Sequence, residues 1–241
     1  MFEPFPLITF KKKGGLVCKE SFPSWDSATI PKPVLVKGFP SSHGLLEIAV
    51  NLCKEGAVVL WIENTVQEAQ SLYDKALSFL PKESLGLLHS RYTRYDRDKA
   101  EKEWIDRLGT EAKSREACIL ISTQVCEQSV DIDADALFTS LCPSDMMLQR
   151  IGRMWRHRKN DKLRKVSDPV VYWYGGGADL LKRANKIVDK KSLIALKKDW
   201  GKSSYVYDLH TLCKSAEIWR PITKLNLPQD LRKIIEDTYA I

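Results

Sequence analysis

The sequence contains no CxxC cysteine pair, no run of 18 apolar residues and no internal repeat. Its six cysteines stand singly, most of them inside apolar runs, which predicts buried, reduced thiols rather than a zinc site or a disulfide framework. The first residues, MFEPFPLITFKKKGG, have no signal-peptide apolar region, and no stretch is long enough to span a bilayer. We therefore expect a soluble, cytoplasmic protein that does not bind a membrane.

The elements that hold a nucleotide phosphate are also missing. No G-x-x-x-x-G-K-[ST] loop is present, and no strand-borne Asp-Glu pair follows such a loop to hold magnesium. Asp131, Asp133 and Asp135 alternate as carboxylate ligands of a hard cation do, but no Gly or Glu completes a calcium loop and a basic stretch follows. We predict no metal site here and expect Asp131 to bind a hydroxyl or to orient an arginine.

Positive charge is abundant. The 241 residues carry a net charge of +7 with a pI near 9.0, which favours an acidic partner such as nucleic acid, although a solubilising surface would look the same. The length allows one large domain, or one domain with appendages.

From residue 34 onward, short apolar runs alternate with segments of helical periodicity. Strands are predicted at 34–36, 57–62, 85–89, 117–122, 136–141 and 170–174, and Thr65 and Thr93 are predicted to cap two of the helices between them. This alternation predicts an α/β domain over residues 34–175 with a mostly parallel sheet and helices on both faces. Residues 1–33 are expected to be a peripheral segment, either a small hairpin around 11–15 or a linker, and residues 176–241 a C-terminal helical extension.

Three predicted strands end in polar loops of similar composition. In open parallel sheets ligands bind beyond the carboxyl ends of the strands, so these loops are expected to form one surface. Simpler roles also fit, because Thr65 is a helix cap and His89 could be an ordinary packed histidine. The residues of these loops that we predict to bind nucleic acid are Asn64, Thr65, His89, Ser90, Arg91, Thr123 and Gln124.

The most informative stretch is Gln149-Arg150-x-Gly152-Arg153-x-x-Arg156. If it is one helix at about 100° per residue, Gln149, Arg153 and Arg156 fall within about 60° of one another, with Arg150 at the rim. No Asp or Glu lies between residues 146 and 160 to neutralise them locally. Such arginines could form a solvated basic face, but mid-helix Gly152 suggests that something approaches the backbone closely. Phosphate is the expected ligand.

The segment ISTQVCEQSVDIDAD followed by QRIGRMWRH closely resembles the CRISPR-associated helicase–nuclease family of type I systems, within helicase superfamily 2. In that family a Thr-Gln-Val-x-Glu-Gln-Ser-x-Asp stretch precedes Gln-Arg-x-Gly-Arg-x-x-Arg-His. The resemblance extends to VVLWIENTVQEAQSLY and LLHSRYTRYDRDKAE, and more weakly to the tail, so that it spans roughly residues 34 to 239. The Glu127-Gln128-Ser129 signature separates this family from DEAD-box RNA helicases.

This resemblance implies that residues 34–175 are the second RecA-like domain of an ATP-dependent helicase. ATP and Mg would be held mainly by a first RecA-like domain, which is absent here together with a histidine–aspartate nuclease. It further implies that Arg153 and Arg156 are arginine fingers, that Gln149 and Arg150 support them at the nucleotide, and that Asp131 contacts the ribose or the arginine row. The implied partners are single-stranded DNA, the first-domain and nuclease part of the enzyme, and an RNA-guided surveillance complex.

Two alternatives remain open at this stage: a RecA-like module that binds nucleic acid or protein without catalysis, and half of a superfamily 2 RNA helicase. The motor interpretation expects the arginine row to be free of the chain's own carboxylates and turned toward the strand ends.

Overall fold

The computed structural model describes residues 7–11, 15, 17–21, 32–112, 115–127, 130–177 and 179–240. Near the N-terminus, β1 (Leu7–Lys11) pairs antiparallel with β2 (Val17–Ser21). This pairing has the form of the hairpin alternative for residues 1–33, most of the rest of which lies outside the described residues.

The domain is built on a seven-stranded sheet with the order β5-β6-β4-β7-β8-β3-β9. The first six strands in that order run parallel, and β9 pairs antiparallel with β3 at the edge. This confirms the predicted α/β class with a mostly parallel sheet. The strands are β3 (Val34–Phe39), β4 (Val58–Ile62), β5 (Leu85–Leu88), β6 (Cys118–Ser122), β7 (Ala136–Ser140), β8 (Val170–Tyr174) and β9 (Lys224–Leu225).

Helices cover both faces of the sheet. Alternate residues of the central strand β4 separate the two sides: Val59 and Trp61 pack in the cluster that includes α1 and α2, whereas Val58 and Leu60 pack in the cluster with α3, α4 and the C-terminal helices. None of the described helices is both long and apolar enough to cross a membrane. The helices are α1 (Leu45–Lys54), α2 (Val66–Ala76), α3 (Arg94–Leu108), α4 (Ser144–Ile151), α5 (Leu180–Ala184), α6 (Lys190–Trp200), α7 (Leu209–Trp219) and α8 (Leu231–Tyr239).

Both predicted helix caps are present. The Thr65 hydroxyl accepts the Glu68 amide at 3.3 Å and begins α2, and the Thr93 hydroxyl accepts the Asp96 amide at 3.2 Å and begins α3. These caps fix the points where the chain turns from the carboxyl end of a strand into a helix, which is where the polar loops lie.

The C-terminal extension is joined firmly to the domain and is not entirely helical. Its strand β9 covers the first residues of β3, a contact too short to give a periodic signal in the sequence. The Trp219 indole in α7 donates to Ser144 Oγ at 3.1 Å, and the Thr238 hydroxyl in α8 lies 2.6 Å from the same oxygen. Since Ser144 begins α4, the extension supports the helix that leads into the arginine segment.

Candidate functional site

The helix that carries Gln149 ends earlier than its periodicity suggests. α4 stops at Ile151, and Gly152 is its C-cap, so Arg153 and Arg156 lie beyond the helix. The predicted helix face shared by these arginines and Gln149 is therefore wrong. A Cβ added at Gly152 would lie 3.3 Å from the Gln149 carbonyl and 3.6 Å from the Leu148 carbonyl, so the close neighbours of this glycine are the chain's own backbone atoms.

After Gly152 the α-helical hydrogen bonds give way to two tighter turns, in which the amides of residues 153 and 154 donate to the carbonyls three residues earlier, and then to a strand-like contact. The Ala134 amide donates to the Arg153 carbonyl at 2.9 Å, and the Trp155 amide donates to the Ala134 carbonyl at 3.0 Å. Trp155 adopts a φ of 52°, a left-handed conformation that turns the chain out of the helix. Met154 and Trp155 fit the apolar side of a continued helix, so periodicity alone could not reveal this long-range pairing.

Arg150 is completely buried in a network of the chain's own polar groups. Its side chain has 0% relative exposure, so in this structure it cannot contact a nucleotide directly as predicted. Burial alone would lower the pKa of Arg150, but the nearby Glu127 carboxylate helps to hold the pKa above its ordinary value. The guanidinium donates to Glu127 Oε1 at 2.7 Å, Thr139 Oγ1 at 2.7 Å, the Ser140 carbonyl at 3.0 Å, Asn64 Oδ1 at 3.0 Å and the Tyr207 hydroxyl at 3.2 Å.

Arg153 and Arg156 are more accessible than Arg150. The Arg153 guanidinium donates to the carbonyls of Val130 at 2.8 Å and Glu127 at 2.7 Å, while its buried Nε has no partner within the described part of the chain. Burial lowers the pKa of Arg153, and the positive charge of Arg156 lowers it further. The Arg156 side chain is 42% exposed. The two guanidinia therefore form a positively charged surface.

Asp131 is the acidic group of this surface. Its carboxylate lies 3.4 Å from the Arg156 guanidinium and 2.9 Å from His157 Nε2, and it accepts the Thr110 amide and hydroxyl, each at 2.8 Å. Burial would raise the pKa of Asp131, but the hydrogen bonds from Thr110 and the neighbouring His157 hold the pKa below its ordinary value. The predicted contact between Asp131 and the arginine row is present, whereas the contact with a ribose stays a prediction. We name Asp131, Arg153 and Arg156 the finger surface.

The finger surface does not lie at the carboxyl ends of the strands. The segment around Arg153 pairs with Ala134, and the Asp135 amide donates to the carbonyl of Val58, the first residue of β4, at 2.8 Å. This places the segment near the amino ends of β4 and β7. The expectation that the arginine row faces the carboxyl-end loops is therefore wrong, and so is the expectation that it is free of the chain's own carboxylates.

The other two aspartates of the acidic trio are structural. Asp133 and Asp135 are buried and bind the guanidinia of Arg115 and Arg164, with Arg164 donating to Asp133 Oδ2 and to Asp135 Oδ1 at 2.9 Å each. Sequence reasoning missed both arginines. Two aspartates within the apolar run DIDADALF could have signalled them, because buried carboxylates require cationic or hydrogen-bonding partners. Over the described ranges, no group of three or more His, Cys, Asp or Glu side chains is arranged to hold a metal ion.

The predicted nucleic-acid residues do meet at the carboxyl edge of the sheet, but they differ in accessibility. Asn64, His89 and Thr123 are buried, and the Asn64 amide donates to the Leu141 carbonyl at 2.8 Å. His89 stacks on Tyr92 with ring centroids 4.4 Å apart, and burial lowers its pKa. These buried side chains brace the loops. Ser90 and Arg91 are exposed and Thr65 and Gln124 half-buried, so these four are the accessible members of the predicted set.

The C-terminal extension reaches the same edge, which the sequence did not reveal. The Asn64 amide donates to Ser203 Oγ at 2.9 Å, and the Gln124 amide donates to the Tyr207 hydroxyl at 3.0 Å. Burial raises the pKa of Tyr207 to about 12, so its hydroxyl stays neutral and can also accept from Arg150. The extension is therefore part of the strand-end site.

Comparisons with known proteins agree with this architecture. Residues 55–159 match the family model for the C-terminal part of the CRISPR-associated nuclease/helicase Cas3. The CRISPR-associated endonuclease/helicase Cas3 of Escherichia coli (strain K12) is 33% identical over 174 residues, which is 69% of this chain and 20% of the relative. Cas3 of Streptococcus thermophilus is 32% identical over 156 residues, 65% of this chain and 16% of the relative.

Solved structures extend the similarity to the whole fold. A crystal structure of a CRISPR-associated protein superimposes with a TM-score of 0.82 at 28% identity, covering 100% of this chain and 25% of that chain. A chain of a CRISPR RNA-guided surveillance complex in a pre-nicking state matches with a TM-score of 0.68 at 26% identity, covering 95% and 28%. T. fusca Cas3 with ATP shares the fold, with a TM-score of 0.72 at 24% identity, covering 95% and 26%.

The parallel sheet, the polar strand-end loops and the arginine segment define the second RecA-like domain of a superfamily 2 helicase. More particularly, the chain belongs to the CRISPR-associated Cas3 nuclease/helicases, of whose helicase it forms a part. It spans about a fifth or less of the length of the curated relatives described above.

Proposed function

We propose that this chain supplies the second motor half of an ATP-dependent single-stranded DNA translocase that acts in CRISPR interference. Its finger surface would close on ATP, and its strand-end loops would grip one DNA strand. Membership of the Cas3 family supports the proposal, whereas the arginine row meets neither condition set for it from the sequence, because it contacts Asp131 and lies away from the carboxyl-end loops. The whole enzyme would also require a first RecA-like domain and a nuclease.

The finger surface carries the proposal, because its chemistry fits a triphosphate. Arg153 and Arg156 are close enough for one charge to lower the pKa of the other guanidinium. Phosphate oxygens bound between the two guanidinia would offset this repulsion. Arg156 pairs with Asp131 at 3.4 Å and its side chain is 42% exposed, so its guanidinium is accessible to an anion. T. fusca Cas3, which shares the fold, is a protein whose structure contains ATP.

The remaining catalytic elements would come from the first RecA-like domain. That domain would hold the phosphates and the Mg ion, and bound ATP would supply the γ-phosphoryl group that is transferred to water, with ADP as the leaving group. The residues of this chain would stabilise the charge that develops on the transferring phosphoryl group. This chain alone should therefore not hydrolyse ATP.

A continuous hydrogen-bonded path links the two surfaces. Arg150 donates to Asn64 at the strand ends and to the Glu127 side chain, while the Glu127 carbonyl accepts the Arg153 guanidinium. A shift of the finger segment upon ATP binding would be transmitted along this path to the DNA grip. This contiguity supports coupling between the two surfaces.

Arg153→Ala tests the finger assignment. In an enzyme reconstituted with the first domain of a Cas3 relative, we expect DNA-stimulated ATP hydrolysis to fall roughly 10³- to 10⁵-fold, while the Kd for single-stranded DNA changes less than about twofold. Arg183→Ala is the control for loss of an arginine outside the finger surface, because Arg183 is 47% exposed and pairs with Asp199. A loss of less than about tenfold for Arg153→Ala, or an equal loss for Arg183→Ala, would show that Arg153 is not a finger.

The DNA grip is tested on the 241-residue chain itself. We expect weak binding to a single-stranded oligonucleotide, with log Kd changing against log salt by a slope near 0.7 per phosphate neutralised. Arg91→Ala should reduce that slope by about 0.7, the value for one phosphate contact, because Arg91 is an exposed cation of the strand-end loops. Binding that is insensitive to salt would contradict the proposed grip.

The alternative functions give different outcomes in the same assays. A non-catalytic binding module would bind DNA but restore no ATP hydrolysis when the first domain is added. Half of an RNA helicase would be stimulated more strongly by RNA than by DNA of the same sequence. DNA-stimulated hydrolysis in the reconstituted enzyme distinguishes the proposed motor from both.

A further inference from the structure

Two tyrosine side chains are far more exposed than the other aromatic residues described by the structure. Tyr205 is 81% exposed and Tyr95 is 78% exposed, whereas Phe79 is 54% exposed. Both tyrosines lie near the carboxyl edge of the sheet. Tyr95 is in the first turn of α3, which follows the carboxyl end of β5, and Tyr205 is in the extension segment that reaches the strand-end loops.

The turn that carries Tyr205 is anchored at both of its ends. Tyr205 is the middle residue of the segment from Ser203 to Tyr207, and both ends of this segment are anchored to the strand ends through Asn64 and Gln124. The amides of residues 206 and 207 donate to the Ser203 carbonyl at 3.1 and 3.0 Å, which closes the turn. An exposed ring on such a fixed turn loses little further conformational freedom when a ligand packs on it.

Tyr95 lies beside two exposed arginines. Arg91 precedes the α3 cap and Arg94 begins the helix, so aromatic and cationic side chains alternate along this loop. Cations that neutralise phosphates, together with rings on which bases stack, are the two components of sequence-independent single-strand binding. Tyr205 has a comparable exposed cation, Lys202, three residues before it.

We propose that Tyr95 and Tyr205 are base-stacking contacts for a single strand that crosses the carboxyl ends of β5, β6 and β4. Tyr95 follows β5, whereas Tyr205 lies in a segment anchored to the residues after β6 and β4, so the strand order places the two rings toward opposite ends of the predicted path. Two inter-strand spacings separate β5 from β4, about 10 Å in all. The inference rests on the proposed function and adds to it that the grip recognises bases as well as the phosphate backbone.

The test compares the binding of two single-stranded DNA probes of equal charge. One is an oligodeoxythymidylate of 12 nucleotides, and the other is a deoxyribose-phosphate chain of the same length that lacks bases. Stacking of one base contributes about 1–3 kcal/mol, or roughly 5- to 150-fold in Kd. We expect Tyr95→Ala and Tyr205→Ala each to weaken oligothymidylate binding by a factor in that range. Binding of the abasic strand should change less than about twofold, and Tyr205→Phe should bind as the unaltered chain does.

Phe79→Ala is the matched control, because Phe79 lies between α2 and the amino end of β5, at the opposite edge of the sheet. It should leave binding of both strands unchanged. The stacking inference is overturned if the tyrosine variants bind oligothymidylate normally, or if they lose both strands equally. In either case binding by the unaltered chain would leave the proposed DNA grip standing. Failure of the unaltered chain to bind any strand would overturn the grip and, with it, the stacking.

Discussion

Replacement of Arg150 by methionine should destabilise the domain strongly. Arg150 is fully buried, and its guanidinium bonds to the Glu127 carboxylate and to Asn64, Thr139, Ser140 and Tyr207. Methionine has a similar length and fills much of the same volume, so the substitution removes charge and hydrogen bonds while leaving little cavity. Its main effect is to leave the Glu127 carboxylate buried without its cation.

The expected size follows from that loss. Breaking a buried ion pair by removing one partner costs about 3–5 kcal/mol, because the other charge stays desolvated. For a chain of this size, each kcal/mol shifts Tm by about 2–4 °C, so Tm should fall by roughly 6–20 °C. A loss of this size is a large fraction of the whole stability of a typical domain, which is about 5–15 kcal/mol.

The measurement is urea unfolding followed by circular dichroism, with Glu127→Gln and the double variant completing a cycle. We expect the double variant to be more stable than the sum of the single losses predicts, by about 1–3 kcal/mol, since it leaves no buried charge uncompensated. Arg183→Ala, which breaks an exposed ion pair with Asp199, should cost no more than about 1 kcal/mol. A loss below about 1 kcal/mol for Arg150→Met, or additive single losses, would refute this account.

Three further predictions concern stability. Asp133→Asn should lower the free energy of unfolding in urea by about 3–5 kcal/mol, because it removes one of the two buried carboxylates, those of Asp133 and Asp135, that bind Arg164. Gly86→Ala should cost about 1–3 kcal/mol, since its Cβ would lie 2.1 Å from the Trp104 ring; Gly177→Ala, where a Cβ meets no other described atom within 4 Å, should be nearly neutral. Burial raises the pKa of Glu63 in the folded state above the value in the unfolded chain. The stability that protonated Glu63 contributes is therefore complete below about pH 4.3 and is lost as the pH rises through the folded-state pKa. Glu63→Gln should flatten this part of the profile of unfolding free energy against pH, measured by urea unfolding.

Local patterns in the sequence were enough to predict the class of fold. Buried strands such as β4 and β6 are continuous apolar runs, and Thr65 and Thr93 cap the helices that follow β4 and β5. These features depend on residues within one turn or one strand, so they can be recognised without the rest of the chain. The family resemblance likewise rested on contiguous motifs.

Contacts between distant segments were decided only by the tertiary structure. Arg153 and Arg156 leave the helix because their segment pairs with Ala134, about twenty residues earlier in the chain. Arg150 is buried because Glu127 and Tyr207 surround it from two other parts of the fold. Helical periodicity takes no account of such partners.

The sequence by itself therefore determined a mostly parallel α/β domain of the Cas3 helicase type, with polar loops at the ends of its strands. The tertiary structure decided which residues of its motifs are accessible. It placed the finger surface and the strand-end loops in different regions of the domain and brought the C-terminal extension into the second of them. The physical reason is that desolvation and charge pairing depend on the three-dimensional surroundings of a side chain, whereas strand and helix patterns depend mainly on its neighbours in the sequence.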